Sequence, residues 1–193
     1  MKPINNFNPQ PAAEASEKLP VGAYVGVIKN VQIEDTKWGQ KLALMLDVSE
    51  GEYAGFYKKQ YEQSTYKDKK YKGILRLSIP DGGQYDEIQR RNLANAVWAV
   101  EQSNSGYHWD WDETKLKGKT VGFVVRPFDW ALDDGRTGES TEIGKLVTVQ
   151  AVREGKVKPM KKRELKDKDR QKVQQREQEL QQMEEAMDEE IPF

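Results

Sequence analysis

Two neighbouring stretches with alternating apolar residues decide the fold. Residues 21–34 read VGAYVGVIKNVQIE, and residues 41–48 read KLALMLDV. In the second stretch every even-numbered position from Leu42 to Val48 is apolar. Alternation with period two predicts strands that bury one face. The intervening DTKWG at 35–39 predicts a turn, so the two stretches are expected to pair.

Residues 56–62 are interpreted as a third strand, and residues 74–79 alternate again up to Pro80. Apolar residues at helical spacing predict one helix at 85–103. The fourth and fifth strands are predicted at 119–128, cut short by Pro127, and at 143–152, around an Asp-Gly hairpin loop at 132–140. Three strands, a helix and two strands are the order of a five-stranded Greek-key barrel of the OB type. The alternative is another small α+β sheet.

Composition predicts one domain with tails. The chain has 193 residues, a formal net charge of -1, and 36% hydrophobic residues, below the usual 45–50% or so. We expect a flexible N-terminal arm at 1–18, a mainly β OB-type domain with one core helix at 19–154, and a charged, partly helical or disordered linker at 155–187. The last six residues, 188–193, form an acidic tip.

Several functional classes are excluded by composition. The chain has no cysteine and one histidine, which excludes a disulfide framework, a zinc ribbon, a thiol nucleophile and a multi-histidine metal site. No apolar run approaches the ~18 residues of a membrane span, and polar residues and prolines replace a signal peptide's apolar region. We expect a cytoplasmic protein that has no cofactor or metal and is not an enzyme.

The strongest binding signal is the stretch 53–77, in which six aromatic residues alternate with seven cations. Lysines screen phosphates and aromatic faces stack bases, so this composition predicts binding of single-stranded nucleic acid. Trp38 in the first turn and Arg136 in the last hairpin are expected to add a platform and a phosphate contact. The alternative is a half-buried sheet with a solvated, aggregation-blocking lysine edge. The predicted contacts are Trp38, Tyr57, Lys58, Lys59, Tyr61, Tyr66, Lys67, Lys69, Lys70, Tyr71, Lys72, Arg76 and Arg136.

Two charged segments allow other interpretations. Asp110, Asp112 and Glu113 lie in YHWDWDE at 107–113. We favour the interpretation that these acids face water, and the alternative is that they bind the metal ion of a nuclease. The tail carries a charge of +7 over 156–176 and -7 over 177–193. Its good helix formers favour a solvated helix. The acidic end is expected to compete with DNA for a basic groove.

The chain ends in Asp188, Glu189, Glu190, Ile191, Pro192 and Phe193. This ending resembles the acidic tip of bacterial single-stranded DNA-binding proteins. The resemblance implies that the tip docks replication, recombination and repair enzymes, with Phe193 filling an apolar pocket. The charged linker departs from the Gly/Gln-rich linker of that family.

A looser resemblance covers residues 19–56. It consists of Leu19-Pro20-x-Gly22-x-Tyr24, Leu42-x-Leu44-x-x-Asp47 and Glu50-Gly51-x-Tyr53-x-Gly55, and it is similar to OB-fold proteins of bacteriophage replication clusters. Together the two resemblances imply a viral (phage or prophage) protein that binds single-stranded DNA without marked sequence preference in DNA replication, recombination or repair. They also imply that it acts in the cytoplasm of a bacterial host cell. The alternative is a protein-interaction adaptor without strong DNA binding. Homo-oligomerisation and DNA versus RNA preference stay open.

Overall fold

A computed structural model describes residues 17–189, with side chains described for 17–182. The strands are β1 (Gly22–Thr36), β2 (Gly39–Val48), β3 (Ile74–Ser78), β4 (Thr120–Ala131) and β5 (Thr137–Val147). The α-helices are α1 (Phe56–Gln63), α2 (Asp86–Ser103), α3 (Val149–Arg153) and α4 (Asp167–Glu189), and a short 3₁₀ helix spans Glu113–Leu116.

The five strands form one antiparallel sheet in the order β3-β2-β1-β4-β5. The end strands β3 and β5 also contact each other, which curls the sheet into a barrel-like core. Helix α2 connects β3 to β4 and packs against β3, β4 and β5. This mainly β architecture with a core helix between the third and fourth strands confirms the predicted fold class.

The core lies inside the curled sheet, where alternate residues of each strand point. Phe123, Val121 and Ile28 are completely buried, and Leu44 and Leu46 of β2 lie beside them. The even-numbered positions predicted to face the core from β2 are therefore buried. Loss of a ring such as that of Phe123 costs about 3–5 kcal/mol in comparable cores, so these residues dominate the stability of the barrel.

The predicted third strand at 56–62 is wrong, because this segment is the helix α1. Phe56 and Tyr57 are adjacent in sequence and both buried. A strand would send two adjacent side chains to opposite faces, whereas a helix can turn both towards the core. Apart from Tyr61, the other positions of α1 are lysine, glutamine or glutamate, which are good helix formers. The third strand is instead the segment at Ile74–Ser78.

Strand β4 runs through Pro127, although the sequence predicted an end there. Neighbouring β1 ends its pairing at Val125, so beyond that point one edge of β4 no longer has a β1 partner. The carbonyl of Pro127 accepts from the amide of Arg163 (3.0 Å), which places the donor-less nitrogen of Pro127 on this edge and away from β5. Proline is tolerated in a strand for this reason.

The fifth strand begins and ends earlier than predicted. Residues 137–140, predicted as loop, pair with the end of β4, and the turn at 132–136 contains Gly135 with a φ of 87°. Beyond Val147 the chain turns into α3, because Thr148 Oγ1 accepts from the amide of Ala151 (3.2 Å) and caps the helix. The predicted strand at 143–152 is therefore wrong in its last five residues.

The beginning of the charged tail docks on the β4–β5 hairpin. The backbone of Arg163 makes an isolated parallel bridge to β4, and its guanidinium donates twice to Glu142 (2.8 Å each) while lying over the Phe128 ring. Lys162 pairs with Asp129 (2.7 Å) and Glu139. We call residues 126–142 with the docked residues 160–163 the tail-docking face.

Helix α4 continues along the hairpin tip from this anchor. Lys172 pairs with Asp133 at 2.7 Å, and the stem of Arg176 packs so closely over Gly135 that a Cβ there would lie 2.6 Å from its Cγ. A helix was the favoured prediction for 164–187, and the structure has it at Asp167–Glu189. Its beginning contacts the barrel, a contact that its polar composition did not predict.

Candidate nucleic-acid interface

An open groove of about 840 Å³ lies between α1, the loop 64–73 and the outer face of the sheet. Its cations come from β1, α1, the loop and β3, and among the described residues that line it the one acid is the buried Asp47. The lining residues are Lys29, Met45, Asp47, Lys58, Tyr61, Lys69, Lys70, Tyr71, Ile74 and Arg76. Five cations over an apolar floor make the groove a potential anion site.

The floor of the groove is the outer surface of β2 and β3. Met45 is paired with Ile74 of β3, and paired residues of antiparallel strands point to the same side. Because Leu44 and Leu46 point into the core, Met45 between them faces outward. A two-residue apolar floor is therefore exposed to a ligand beneath the cationic rim.

Lys29 reaches the groove because β1 bulges at this position. The pairing of β1 with β2 shifts between Ile28 and Asn30, which leaves Lys29 as the extra residue. Bulges commonly redirect a side chain near a functional site. The exposed lysine thereby joins the rim on the side opposite the loop 64–73.

Asp47 fixes α1 beside the groove. Its side chain is 1% exposed, and its carboxylate accepts from the amides of Val48 (2.9 Å), Tyr57 (3.0 Å) and Lys58 (3.3 Å). The last two amides belong to the first turn of α1, where amides have no partner within the helix and a negative charge is stabilised. Asp47 thus accepts hydrogen bonds from amides that have no partner within α1. These bonds fix the helix so that Lys58 and Tyr61 face the groove.

A continuous chain of aromatic rings connects the barrel core with the groove. Neighbouring ring centroids lie 5.5–6.3 Å apart in edge or tilted geometries that aromatic pairs favour. In order, the rings are those of Phe123, Tyr24, Tyr53, Phe56, Tyr57, Tyr71 and Tyr61. The position of the outermost ring is therefore coupled to the packing of the core.

Tyr57 is not available as a stacking platform, which corrects its prediction as a binding residue. It is 5% exposed, and burial raises the pKa of its phenol. Tyr71 is half-buried, its hydroxyl donates to the carbonyl of Leu46 (2.9 Å), and burial raises its phenol pKa as well. Tyr61, by contrast, is 40% exposed at the groove. Tyr61 is therefore the ring that a ligand in the groove would meet first.

A close backbone approach holds Tyr71 in place. Gly73 accepts from the amide of Leu46 (2.7 Å), and a Cβ at Gly73 would lie 2.4 Å from the Leu46 carbonyl and 2.5 Å from the Tyr57 ring. Only glycine fits at this position without displacing β2 or α1. The loop before β3 is thus seated tightly against the core.

The predicted cations differ in how they are engaged. Within the described part of the chain, Lys69 and Lys70 form no ion pair, and Lys69 donates to the carbonyl of Glu62 (3.3 Å). Lys58 lies 3.8 Å from Glu62, but both side chains are exposed, and such pairs contribute about 0–1 kcal/mol. These three lysines therefore remain available to an anionic ligand.

Arg76 is committed to a protein partner. Its guanidinium donates to both carboxylate oxygens of Glu34 at 2.7 and 3.0 Å across the sheet. This hydrogen bond lowers the pKa of Glu34 and raises that of Arg76. Arg76 thus borders the groove as half of an ion pair, and its positive charge is partly neutralised.

The remaining predicted residues lie outside the groove. Trp38 is 76% exposed in the β1–β2 turn beneath the Lys37 ammonium, and Arg136 pairs with Asp134 (2.7 Å) in the β4–β5 turn. Lys67 is exposed in the loop after α1. Lys59, Tyr66 and Lys72 line a second depression on the other side of α1.

Sequence reasoning missed four groove residues: Lys29, Met45, Asp47 and Ile74. The parity that places Leu44 and Leu46 in the core already implied an outward Met45 and was the available signal for the floor. No sequence pattern predicted the bulge in β1 that directs Lys29 towards the groove. Asp47 lies between the buried residues Leu46 and Val48, and its role as an acceptor depends on α1, which the sequence did not predict.

The acidic run at 107–113 serves local structure. Asp110 pairs with Lys115, and Asp112 Oδ1 accepts from the Thr114 amide at 3.1 Å to cap the 3₁₀ helix. Over residues 17–182, no group of three or more His, Cys, Asp or Glu side chains is arranged to hold a metal ion. The nuclease interpretation consequently has no assembled carboxylate cluster behind it in this region.

The predicted docking tip lies outside the described residues, except for the backbone of Asp188 and Glu189. None of the described helices has both the length and the apolar character needed to span a bilayer. No protein-family model matches the chain, and no curated protein matches it either.

Proposed function

We propose that the protein binds single-stranded DNA in the groove between α1 and the outer sheet face. The observation that carries the proposal is the convergence of Lys58, Lys69 and Lys70 beside the exposed ring of Tyr61. Lys69 and Lys70 form no ion pair with a described residue, and Lys58 has only an exposed contact of 3.8 Å with Glu62. Lysines that are available in this way release counterions from a phosphate backbone, and an exposed ring stacks any base. The groove is open, so a flexible strand enters it without sequence readout.

Duplex DNA is a poor fit to the same groove. Its bases are stacked on each other and present no face to Tyr61, so a duplex would use only the phosphate contacts. We therefore expect preferential binding to single strands, measured by fluorescence anisotropy with oligo-dT against a duplex of equal length. Equal affinity for both, or none for either, contradicts the proposal. The affinity for oligo-dT should fall as salt rises.

We also propose that the terminal tip recruits enzymes of phage replication, recombination or repair. Support comes from the sequence of the last six residues, where four features suit a docking motif: acids, Ile191, Pro192 and the terminal aromatic Phe193. Acids raise the rate of encounter with a basic rim, and the terminal ring fills a pocket.

Deletion of Phe193 tests the recruitment. The truncated protein should lose capture of host replication and repair enzymes in a pulldown while its affinity for oligo-dT is unchanged. Capture that persists without Phe193 contradicts the docking role. A protein that captures enzymes but does not bind oligo-dT would instead support the adaptor function.

A further inference from the structure

A second depression of about 740 Å³ lies across α1 from the groove. Phe56 and Tyr53 form part of its lining, together with α1 and the loop 64–72. Lys70 lines both cavities, so the depression and the groove meet at this side chain. Its lining is Glu17, Glu52, Tyr53, Ala54, Phe56, Lys59, Gln60, Gln63, Ser64, Thr65, Tyr66, Asp68, Lys70 and Lys72.

Helix α1 is the wall between the two cavities. Lys58 and Tyr61 are three residues apart and line the groove, whereas Lys59 and Gln63 are four apart and line the depression. Residues at these spacings share a helix face. A ligand that uses both cavities therefore passes over the loop at Lys70.

The two cavities differ in charge. The groove has five cations against Asp47, whose carboxylate is already engaged by backbone amides. The depression has three cations and three acids: Lys59, Lys70, Lys72, Glu17, Glu52 and Asp68. A phosphate is therefore attracted more strongly to the groove, whereas the charge-balanced depression offers it no net attraction.

The lining of the depression suits a flat, neutral heterocycle. Aromatic surface is available from the half-buried ring of Tyr53 and from the ring of Tyr66, which is 73% exposed. Amide and hydroxyl groups of Gln63, Ser64 and Thr65 supply both donors and acceptors. Splayed bases of single strands are held by this combination of stacking and edge hydrogen bonds.

We propose that the depression takes a nucleobase turned out of a single strand whose phosphates lie in the groove, with Lys70 contacting the phosphate between the two. This inference rests on the proposed function and deepens it. It assigns Tyr66 to base stacking and the groove lysines to the backbone, so the two kinds of contact are separable by substitution.

The experiment compares oligo-dT with an abasic deoxyribose-phosphate strand of the same length. Tyr66→Ala should weaken oligo-dT binding about fivefold or more, because one base–aromatic stack is lost. Its affinity for the abasic strand should be unchanged. Tyr85→Ala is the matched control, since Tyr85 is 62% exposed at the start of α2 and lines neither cavity.

The outcomes separate this inference from the proposed function. If Tyr66→Ala leaves the affinity for oligo-dT unchanged, or lowers the affinities for oligo-dT and the abasic strand equally, the base site is refuted. The proposal that the protein binds single strands would still stand. Wild-type protein that binds neither strand refutes both. Lys69→Ala with Lys70→Ala should lower the affinity for both oligo-dT and the abasic strand. This result would show that binding of the abasic strand depends on the phosphate contacts.

Discussion

The groove and the tail-docking face are both rich in cations, but they use them differently. In the groove, Lys69 and Lys70 form no ion pair with any described residue, while on the tail-docking face Lys162 and Arg163 bind Asp129 and Glu142. By net charge along the chain, the first part of the tail, residues 156–176 at +7, is more basic than residues 53–77 at +5. The comparison teaches that a cation's partner, rather than its sign, decides whether it is open to a phosphate.

The two regions also differ in what holds them. The groove is fixed by buried groups, above all Asp47 beneath α1, whereas the tail is held by half-exposed ion pairs and one short backbone bridge. Buried hydrogen bonds to a charged group are stronger than exposed ion pairs. Four experiments test the comparison between the groove and the tail-docking face.

The largest effect is expected at Asp47. Asp47→Ala removes the acceptor of three amides and should lower the free energy of unfolding by about 3 kcal/mol, measured by urea denaturation. Asp47→Asn keeps Oδ1, which serves Val48 and Tyr57, and should cost less. Asp129→Ala on the tail-docking face is the control, at about 1 kcal/mol or less. Equal losses at both sites would erase the distinction.

Removal of two groove lysines should impair binding rather than stability. Lys69→Ala with Lys70→Ala should weaken oligo-dT binding about tenfold and lower the salt slope by about 1.4, since each phosphate contact contributes about 0.7. Lys162→Ala with Lys172→Ala removes two paired cations from the tail and should leave the slope unchanged. If both pairs lower the slope equally, ion pairing does not decide availability.

Loss of the tail anchor should have a smaller effect. Arg163→Ala removes the double contact with Glu142 and the stacking on Phe128, and should destabilise by about 1 kcal/mol. Limited trypsin digestion should cut faster after Lys161 and Lys162, with oligo-dT affinity preserved. Arg163→Lys keeps the charge without the planar fork and should be intermediate. Unchanged digestion would show that other contacts hold the tail.

The smallest effect concerns pH. Burial raises the pKa of Glu142, but hydrogen bonds and charge from Arg163 and Arg126 outweigh it, so the pKa lies below its usual 4.5. A depressed carboxyl pKa stabilises the fold at neutral pH, and this contribution is lost as the pH falls through the folded-state pKa. Glu142→Gln should therefore be less stable than wild type at pH 7, with the difference shrinking below about pH 4.5. A difference independent of pH would contradict the role of the charge.

Local pattern predicted the barrel because period-two alternation depends on side chains that face one core. The positions of β1 and β2 follow this pattern closely, and α2 follows the helical spacing that predicted it. The strand prediction failed for 56–62, because this segment is a helix in which the two adjacent aromatic residues Phe56 and Tyr57 are both buried. The predicted end of β4 at Pro127 was also wrong. Proline has no backbone N–H, and whether this interrupts a strand depends on which edge of the strand its nitrogen faces.

The candidate site was predicted by composition and arranged by the fold. Lys58, Lys69, Lys70, Tyr61 and Tyr71 do line the groove, as their concentration between residues 53 and 77 indicated. Tyr57 does not belong to the candidate site because α1 turns it towards the core. Lys29 and Met45 belong to it because β1 and β2 bring them to the groove. Composition reports which groups are near each other along the chain, but not which share a surface.

By itself the sequence determined the mainly β class, the core-facing parity of β2, the core helix and the aromatic-basic stretch. These follow from local periodicity and composition, which do not need distant residues. The tertiary structure alone decided that α1 is a helix, that Arg76 is paired, and that the start of the tail is docked. Each of these depends on contacts between residues far apart in sequence, such as Arg76 with Glu34 or Arg163 with Glu142.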